Sequence, residues 1–431
     1  MLKAKISPPK MRSVAVAFMA VWLAVFSVGG AVSAAGTPGG EWVDNSLGLE
    51  VSSAILIDAD SGQAIYEVNA DAPRPPASMT KLMTEYIVLE EITQKHLSWD
   101  DIVTVSEEAA STPPDGSQIY LAQGDQHTVK ELYIAMAIQS ANDATIALAS
   151  QISGSEQGFV DKMNETAKEL GLTTANYTSA TGLSDTTIIS ARDMAKLAQT
   201  ILKKHPEFLE YSSLQEHKFR PRDKKPMYNL NWMLGTNKNN TNLKAFAYDG
   251  VDGMKTGYIS AAGYTFTGTV KRGDTRYISV VMNTKSKAAR FNETAKLYNY
   301  AFNTFEKKSV VAAKSVVESV KTVKIKKGAS KTVPVVTESD ISFTVKKGTQ
   351  PKIELSGSQI MSENELVAPI KAGQKVGTVT YKYTDDQGKA LEKTINLIAS
   401  EDVKKAGWFK LMFRGIGSFF SGLFNGIVNL F

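Results

Sequence analysis

The sequence predicts an α/β sandwich, an antiparallel sheet flanked by helices, followed by a small all-β domain and a C-terminal amphipathic helix. Three observations predict it. Strand-like runs stand near both ends of residues 36–307, with helical patterns between them, which suits one sheet made from two chain ends with helices packed on it. From about Lys307 the composition turns rich in Val, Ile, Thr and Lys, with turn pairs between short strand-like runs. The last stretch, 403–431, repeats apolar residues at helical spacing opposite a polar stripe.

Composition narrows the function classes. The 431 residues are 43% hydrophobic and 22% charged, the balance of a globular protein rather than a disordered one. Lys and Arg number 49 against 44 Asp and Glu, a net charge of +5. No basic patch is interleaved with aromatics, so no nucleic acid partner is expected. The chain has no cysteine, which removes disulfides, thiolate catalysis and Cys-based metal sites. His96, His127, His205 and His217 lack metal-ligand spacing, so neither a metal nor a cofactor is expected.

The elements follow in order. Residues 1–35 read as a secretory signal peptide. Lys3, Lys5, Lys10 and Arg12 precede the apolar run Ser13 to Val28, and small residues permit cleavage after Ala34 or Ala35. An uncleaved membrane anchor is the alternative. The mature protein is therefore expected to be extracytoplasmic. Runs 53–57 and 63–68, joined by Asp58-Ala59-Asp60-Ser61-Gly62, predict a hairpin. A buried helix starts near Ser78, carrying Leu82, Met83, Tyr86, Ile87 and Leu89. A helical pattern over 128–148 is interrupted at Ser140-Ala141-Asn142-Asp143. Helices are expected over 157–170 and from Ser190, a candidate cap, to Lys203. Residues 213–245 are polar and irregular. Strands Tyr264 to Val270 and Tyr277 to Met282 and a helix from Ala289 to Thr304 close the first domain, 36–307. The β-rich domain spans 308–402, with turns at Lys327-Gly328, Lys347-Gly348, Ala372-Gly373 and Asp386-Gln387-Gly388. In 403–431 the polar stripe argues against a spanning helix. A helix lying on the membrane surface fits better, with Lys404, Lys405, Lys410 and Arg414 near headgroups. A transmembrane helix or one packed on a partner is the alternative.

The chemistry concentrates in three motifs. Ser78 and Lys81 form S-x-x-K, and residues three apart share a helix face, so hydroxyl and amine can meet. A neighbouring amine can activate a serine without histidine. The pattern alone is weak, since Ser7 to Lys10 also matches it inside the export segment. Ser140-Ala141-Asn142 is S-x-N, again matched elsewhere by Ser362-Glu363-Asn364. Lys255-Thr256-Gly257 is K-T-G and occurs once. Their order, each in suitable local structure, carries the weight.

With these motifs the chain resembles the D-alanyl-D-alanine carboxypeptidases, low-molecular-mass penicillin-binding proteins, of the type with a β-rich second domain and a C-terminal amphipathic anchor. The runs Pro76 to Lys81, Ser140 to Ala144, Ser190 to Met194 and Asp252 to Gly257 are similar to family sequence. The resemblance implies the serine β-lactamase/transpeptidase fold. It implies that Ser78 attacks the carbonyl between the terminal D-alanines of a peptidoglycan stem peptide, that water hydrolyses the acyl-enzyme, and that β-lactams acylate the same serine. Lys81 serves as base only if its pKa falls from about 10.4 toward neutrality, a shift of roughly 4 kcal/mol. Burial and the neighbouring Lys255 are the expected causes. Ser140 is implied as a proton relay and Asn142 as a group that orients Lys81 and the substrate amide. Lys255 and Thr256 are implied to bind the terminal carboxylate, and Gly257 to let the substrate backbone approach. An oxyanion hole from the amides of Ser78 and Tyr258 is implied. Arg290 aligns with a family arginine near the carboxylate; an ordinary surface arginine is the alternative. Tyr258 replaces a histidine of some members and Ala141 a glycine. Asp143, Arg192 and Asp193 read as caps and ion pairs. Three different proteins compete with this reading. A β-lactamase would need a deacylating Glu after Asn142, and none is found. An endopeptidase and a non-catalytic peptidoglycan-binding scaffold are the second and third.

Overall fold

The computed structural model describes residues 45–385, 388, 390–413 and 416. The signal-peptide reading of 1–35 and most of the terminal-helix reading of 403–431 fall outside the described residues.

The chain opens with the hairpin β1 (Ser53–Asp58) and β2 (Ala64–Val68). Its turn is tied by the Asp58 carboxylate, which accepts from the Ser61 amide and hydroxyl at 2.7 and 2.6 Å. One 3-10 turn, Ala77–Thr80, leads into α1 (Lys81–Thr93). The short strands β3 (Ile102–Thr104) and β4 (Gln126–Thr128) pair around α2 (Glu107–Ala110) and a long loop. Next comes α3 (Val129–Gln139), started by a capping box in which Thr128 and Glu131 satisfy each other's amides. The predicted interruption is real. Ser140 is left-handed at φ +60° and ends α3, and α4 (Asn142–Ser153) begins two residues later.

Capping then sets the helix starts. Ser155 caps α5 (Glu156–Glu169), and Ser190 caps α6 (Ala191–Lys204) by accepting from the Asp193 amide. The stretch that looks irregular in sequence, with the residues just before it, holds α7 (Phe208–Ser212) and the two-residue strands β5 (Glu216–His217) and β6 (Met227–Tyr228). Three long strands follow, β7 (Val251–Ile259), β8 (Gly263–Arg272) and β9 (Thr275–Thr284), and then α8 (Lys287–Thr304). The sheet order is β2-β1-β9-β8-β7, antiparallel throughout. The two chain ends meet where β1 pairs β9. The sequence pattern predicts strands only after the K-T-G run; in the structure that run lies inside β7, at the sheet edge.

Helices cover both sheet faces, so β1 is buried at every position. Ile55 and Ile57 face a core of Leu82, Met83, Leu132, Met136 and Leu197. Ala54 and Leu56 face Phe266, Phe291, Leu297 and Tyr298 across the sheet.

From Phe305 to Ala399 the regular elements are all strands. In order come β10 (Phe305–Val311), β11 (Thr322–Lys324), β12 (Thr332–Thr337), β13 (Ile341–Lys346), β14 (Lys352–Ile360), β15 (Lys375–Thr384) and β16 (Ala390–Ala399). A sheet ordered β11-β12-β16-β15-β14 encloses Val333, Val335, Leu366, Val376 and Leu397, and β10 pairs β13 separately. Of the last expected turn, Asp386 and Gln387 fall outside the described residues. The two halves touch where Thr344 Oγ1 donates to Asp58 Oδ2 at 2.7 Å and Lys307 pairs with Asp60. A cavity of about 840 Å³ opens there, lined by Asp60, Lys271, Lys307 and Ser342 among others, and none of the motif residues lines it.

Candidate active site

Ser78 lies in the 3-10 turn, not in the α-helix that the sequence suggests. The turn is entered through Ala77, whose φ of +51° is unusual for a residue with a side chain. Such strain persists only where the surroundings fix it. Here Thr265 Oγ1 donates to Pro76 O at 3.0 Å. Two glycines close on the turn. A Cβ at Gly182 would stand 2.0 Å from Ala77 O, and one at Gly257 would stand 2.7 Å from Pro76 O and 3.0 Å from Ser78 N. Gly257 thus makes room for the serine turn itself.

Lys81 opens α1 and is fully buried. Its Nζ donates to Asn142 Oδ1 at 2.6 Å and to Thr181 O at 2.8 Å, and it lies 3.3 Å from Ser78 Oγ. Burial, then the nearby Lys255, hold its pKa well below the ordinary lysine value; Glu85, Glu156 and Asp143 act the other way. The two causes expected from sequence are both present. Asn142 Oδ1 and Thr181 O can only accept, so Ser78 Oγ, which can donate or accept, is the one of the three partners able to face a lone pair on Nζ.

Asn142 reaches Lys81 because the α3–α4 break turns the chain there. Its amide donates to Ser117 O at 2.7 Å. Asp143 pins the loop above the site: its carboxylate accepts from the amides of Ile119 and Leu121 at 3.0–3.1 Å. Ser140 Oγ, the hydroxyl expected to relay a proton, is buried and has no hydrogen-bond partner among the described residues.

On the opposite wall β7 presents Lys255 and Thr256, both buried. Burial lowers the pKa of Lys255, Glu85 opposes this, and Arg290 adds to it. Tyr258 is half exposed and stacks on Tyr264 with centroids 4.3 Å apart. Arg290 is 4% exposed, so it is not a surface arginine. Its Nη1 donates to Gly257 O at 3.1 Å, and burial lowers its pKa to about 10.

Ser78, Ser140, Asn142, Thr256, Gly257, Tyr258 and Arg290 line one cleft of about 690 Å³. Lys81 and Lys255 lie behind its wall. Asp143 and Asp193 act as expected for fold-holding residues, the latter accepting from the amide and hydroxyl of Thr174. Arg192 bridges Glu67 and Asp71. Sequence reasoning misses Thr181 and Gly182, Glu85, and the cleft wall from Pro113, Ser117, Leu183 and Trp232. A backbone acceptor such as Thr181 O leaves no residue-type signal. Gly182, one of two glycines between α5 and α6, is the one visible sign.

A serine hydroxyl set against a buried amine in an open cleft, on a sheet covered by helices on both faces, defines an acyl-transferring serine hydrolase. The comparisons are more specific. Residues 43–286 match the family model described as D-alanyl-D-alanine carboxypeptidase, and residues 305–405 match the penicillin-binding protein 5 C-terminal domain. The chain is 36% identical over 374 residues to D-alanyl-D-alanine carboxypeptidase DacF of Bacillus subtilis, covering 86% of this chain and 91% of that one. It resembles the crystal structure of a peptidoglycan synthesis regulatory factor (PBP3) from Streptococcus pneumoniae, with a TM-score of 0.72 and 28% identity over 83% of this chain and all of that one. It also resembles penicillin-binding protein D2 from Listeria monocytogenes in its cefotaxime-bound form, with a TM-score of 0.52 and 32% identity over 59% of this chain and 98% of that one. The chain belongs to the D-alanyl-D-alanine carboxypeptidase family and is a serine peptidase.

Proposed function

We propose that Ser78 is the nucleophile and Lys81 its general base in the removal of the terminal D-alanine from peptidoglycan stem pentapeptides. The observation that carries this is the bonding of Lys81: Asn142 Oδ1 and Thr181 O take its N–H groups, and Ser78 Oγ faces what remains. The lone pair takes the hydroxyl proton as Ser78 Oγ attacks the carbonyl between the two D-alanines. The amides of Ser78 and Tyr258 donate to the developing oxyanion, worth about 3 kcal/mol each. Ser140 Oγ, with no hydrogen-bond partner among the described residues, relays the proton that Lys81 took from Ser78 to the departing D-alanine nitrogen. Water then hydrolyses the ester.

Lys255 and Thr256 bind the terminal carboxylate. Arg290 acts through β7: by holding Gly257 O it keeps the K-T-G strand in place, and its buried charge adds to the field felt by the carboxylate. A β-lactam carries a similar acyl group and carboxylate, so it acylates Ser78 in the same way. Asp115, on an exposed loop, is the one acidic side chain lining the cleft among the described residues. An exposed loop carboxylate, free to be solvated, supports slow hydrolysis of the penicilloyl-enzyme, and thus a carboxypeptidase rather than a β-lactamase. The division into a catalytic domain up to 307 and a β-rich domain over 308–402 follows the change in cores.

The protein is exported and sits on the outer face of the membrane through 403–431. Residues 408–413 are helical, with Trp408, Phe409 and Phe413 exposed beside Lys404, Lys405 and Lys410, a composition suited to the interface of an anionic bilayer.

The test of function is paired: label the purified enzyme with fluorescent penicillin, then measure D-alanine release from a pentapeptide. Labelling of Ser78→Ala at full stoichiometry would show the nucleophile to be another residue. Wild-type enzyme that labels but releases no D-alanine would refute the carboxypeptidase reading. Deleting 403–431 should release the protein from membranes; continued membrane association would refute the anchor.

A further inference from the structure

The β-rich half carries a concentration of charge that the chemistry above does not use. From Lys321 to Lys331 the sequence places five lysines and no acid. They lie on and around β11 and the turn that joins it to β12, and all are exposed. Two have acidic partners: Lys321 pairs with Glu318 at 2.7 Å, and Lys324 approaches Glu363 at 4.0 Å. Lys326 donates to Asn364, a neutral partner that leaves its charge uncompensated. Lys327 and Lys331 have no ion pair among the described residues. Lys327 is left-handed at φ +58°, a conformation that glycine or asparagine enters more easily.

A second group comes from the chain after β16. Backbone hydrogen bonds tie that segment to the turn: Ala329 N donates to Lys404 O at 2.7 Å, and Ala406 N to Lys327 O at 2.8 Å. Val403 is paired with Ile370 by two further bonds, of 2.9 and 3.0 Å. Lys404 and Lys405 are exposed there, and Lys410 Nζ donates to Ala329 O at 2.9 Å. Lys326, Lys327, Lys331, Lys404, Lys405 and Lys410 are thus gathered at one end of the β-rich half. Asp402 engages Lys371 at 3.1 Å, so Glu401 is the carboxylate of this segment left outside an ion pair among the described residues. Like charges gathered in this way repel one another, and an external counter-charge relieves the repulsion.

The helical residues 408–413 start two positions after Ala406, so no slack separates them from the turn. Trp408, Phe409 and Phe413 are 63–66% exposed. Aromatic rings beside lysines suit a bilayer interface, where rings enter the acyl boundary and ammonium groups stay among the headgroups. We infer that the turn 326–331 is a second membrane contact. It is a basic platform that takes the phosphate headgroups of an anionic bilayer and holds the β-rich half against the surface, where a terminal helix alone would leave it free to swing. The inference rests on the membrane attachment given under Proposed function and extends it from the terminal helix to the β-rich half.

The full-length chain is mixed with vesicles of phosphatidylcholine, with or without phosphatidylglycerol, and binding is read by co-sedimentation. Lys326→Gln, Lys327→Gln and Lys331→Gln are combined in one chain. Each lysine near an anionic surface contributes about fivefold in affinity, so this variant should bind phosphatidylglycerol vesicles about 10²-fold more weakly than the wild type. Its binding to pure phosphatidylcholine should be unchanged. Replacement by arginine at the same three positions keeps the charge and should preserve wild-type binding. Penicillin acylation should keep its rate, since none of the three lines the cleft. Undiminished binding of the glutamine variant to phosphatidylglycerol vesicles overturns the proposal, as does an equal loss on both vesicle types. Without any variant, added salt should weaken wild-type binding to the phosphatidylglycerol vesicles alone; salt-independent binding overturns the proposal as well. A wild type that binds soluble polyphosphate but gains nothing from phosphatidylglycerol overturns it in favour of an anionic polymer. Truncation after Ala406 separates the two readings. If the truncated chain still binds phosphatidylcholine like the wild type, the terminal anchor is refuted, and the second contact with it. If truncation abolishes that binding while the glutamine variant matches the wild type on phosphatidylglycerol, the anchor stands and the role of the turn alone is refuted.

Discussion

The two halves of the chain treat charge in opposite ways. Before Phe305 the interior holds Lys81, Glu85, Asp143, Asp193, Lys255, Arg290 and Glu293. After it, the buried polar residues among those described are Thr337, Ser342 and Thr344, and no described lysine is fully buried. The β-rich half is held by alternation, with β12 reading half-buried and buried in strict turn. The first half accepts buried charge that hydrophobic residues of similar volume would replace at little cost or with a gain. Of these, Lys81 and Lys255 have pKa values lowered by burial, the kind of buried charge that is kept where chemistry needs it. The difference points to the Ser78 cleft as the working part and to the β-rich half as a frame.

Substitutions can break that contrast, and the largest effect belongs to the nucleophile. Ser78→Ala should abolish penicillin labelling and D-alanine release, a loss of at least about 10⁴-fold. Residual labelling, mapped by peptide mass, would move the nucleophile elsewhere. Lys81→Met fills the same space without a base and should slow acylation by about 10²–10⁴-fold; stopped-flow penicillin acylation at neutral pH measures it. Gly182→Ala tests the clasp on the serine turn. Its Cβ would collide with Ala77 O at 2.0 Å from a position with φ +78°, and displacing the nucleophile by about 1 Å costs about 10²-fold in acylation. A near-normal rate with a normal fold would show that the clasp is unimportant. The fourth substitution lies on the other side of the contrast. Leu397→Ala empties part of the β-rich core and should cost about 2–5 kcal/mol of stability, read by denaturant unfolding. The acylation rate of the folded protein should stay at the wild-type value; a matching loss would couple the two halves catalytically.

Much of this is legible in the sequence, for identifiable reasons. The hairpin, the α3–α4 break and the strands β8 and β9 follow from local patterns of turn residues and alternation. The three motifs bring together Ser78, Lys81, Ser140, Asn142 and the K-T-G residues because side-chain identity carries that chemistry. Position is harder. Around K-T-G the chain carries Gly253, Thr256 and Gly257 with little alternation, so its place inside β7 is clear only from pairing with β8. Ser78 falls in a 3-10 turn because Ala77 is left-handed, a conformation that alanine does not advertise. Glu85 is hidden for a different reason. A glutamate in a helix is ordinarily solvated, and only tertiary packing buries this one. Arg290 admits two readings in the sequence, and burial excludes the surface one.

The central claim is that Lys81 is neutral when Ser78 reacts. The second-order rate of penicillin acylation against pH tests it most directly. Because the pKa of Lys81 is held well below its ordinary value, the rate should fall as pH drops through that lowered pKa, and fall again on the alkaline side as Lys255, lowered to about 8 by burial, deprotonates. A rate that instead climbs about tenfold per pH unit up to the ordinary lysine value of about 10.4 would mean that Lys81 is protonated in the resting enzyme, and would contradict the claim.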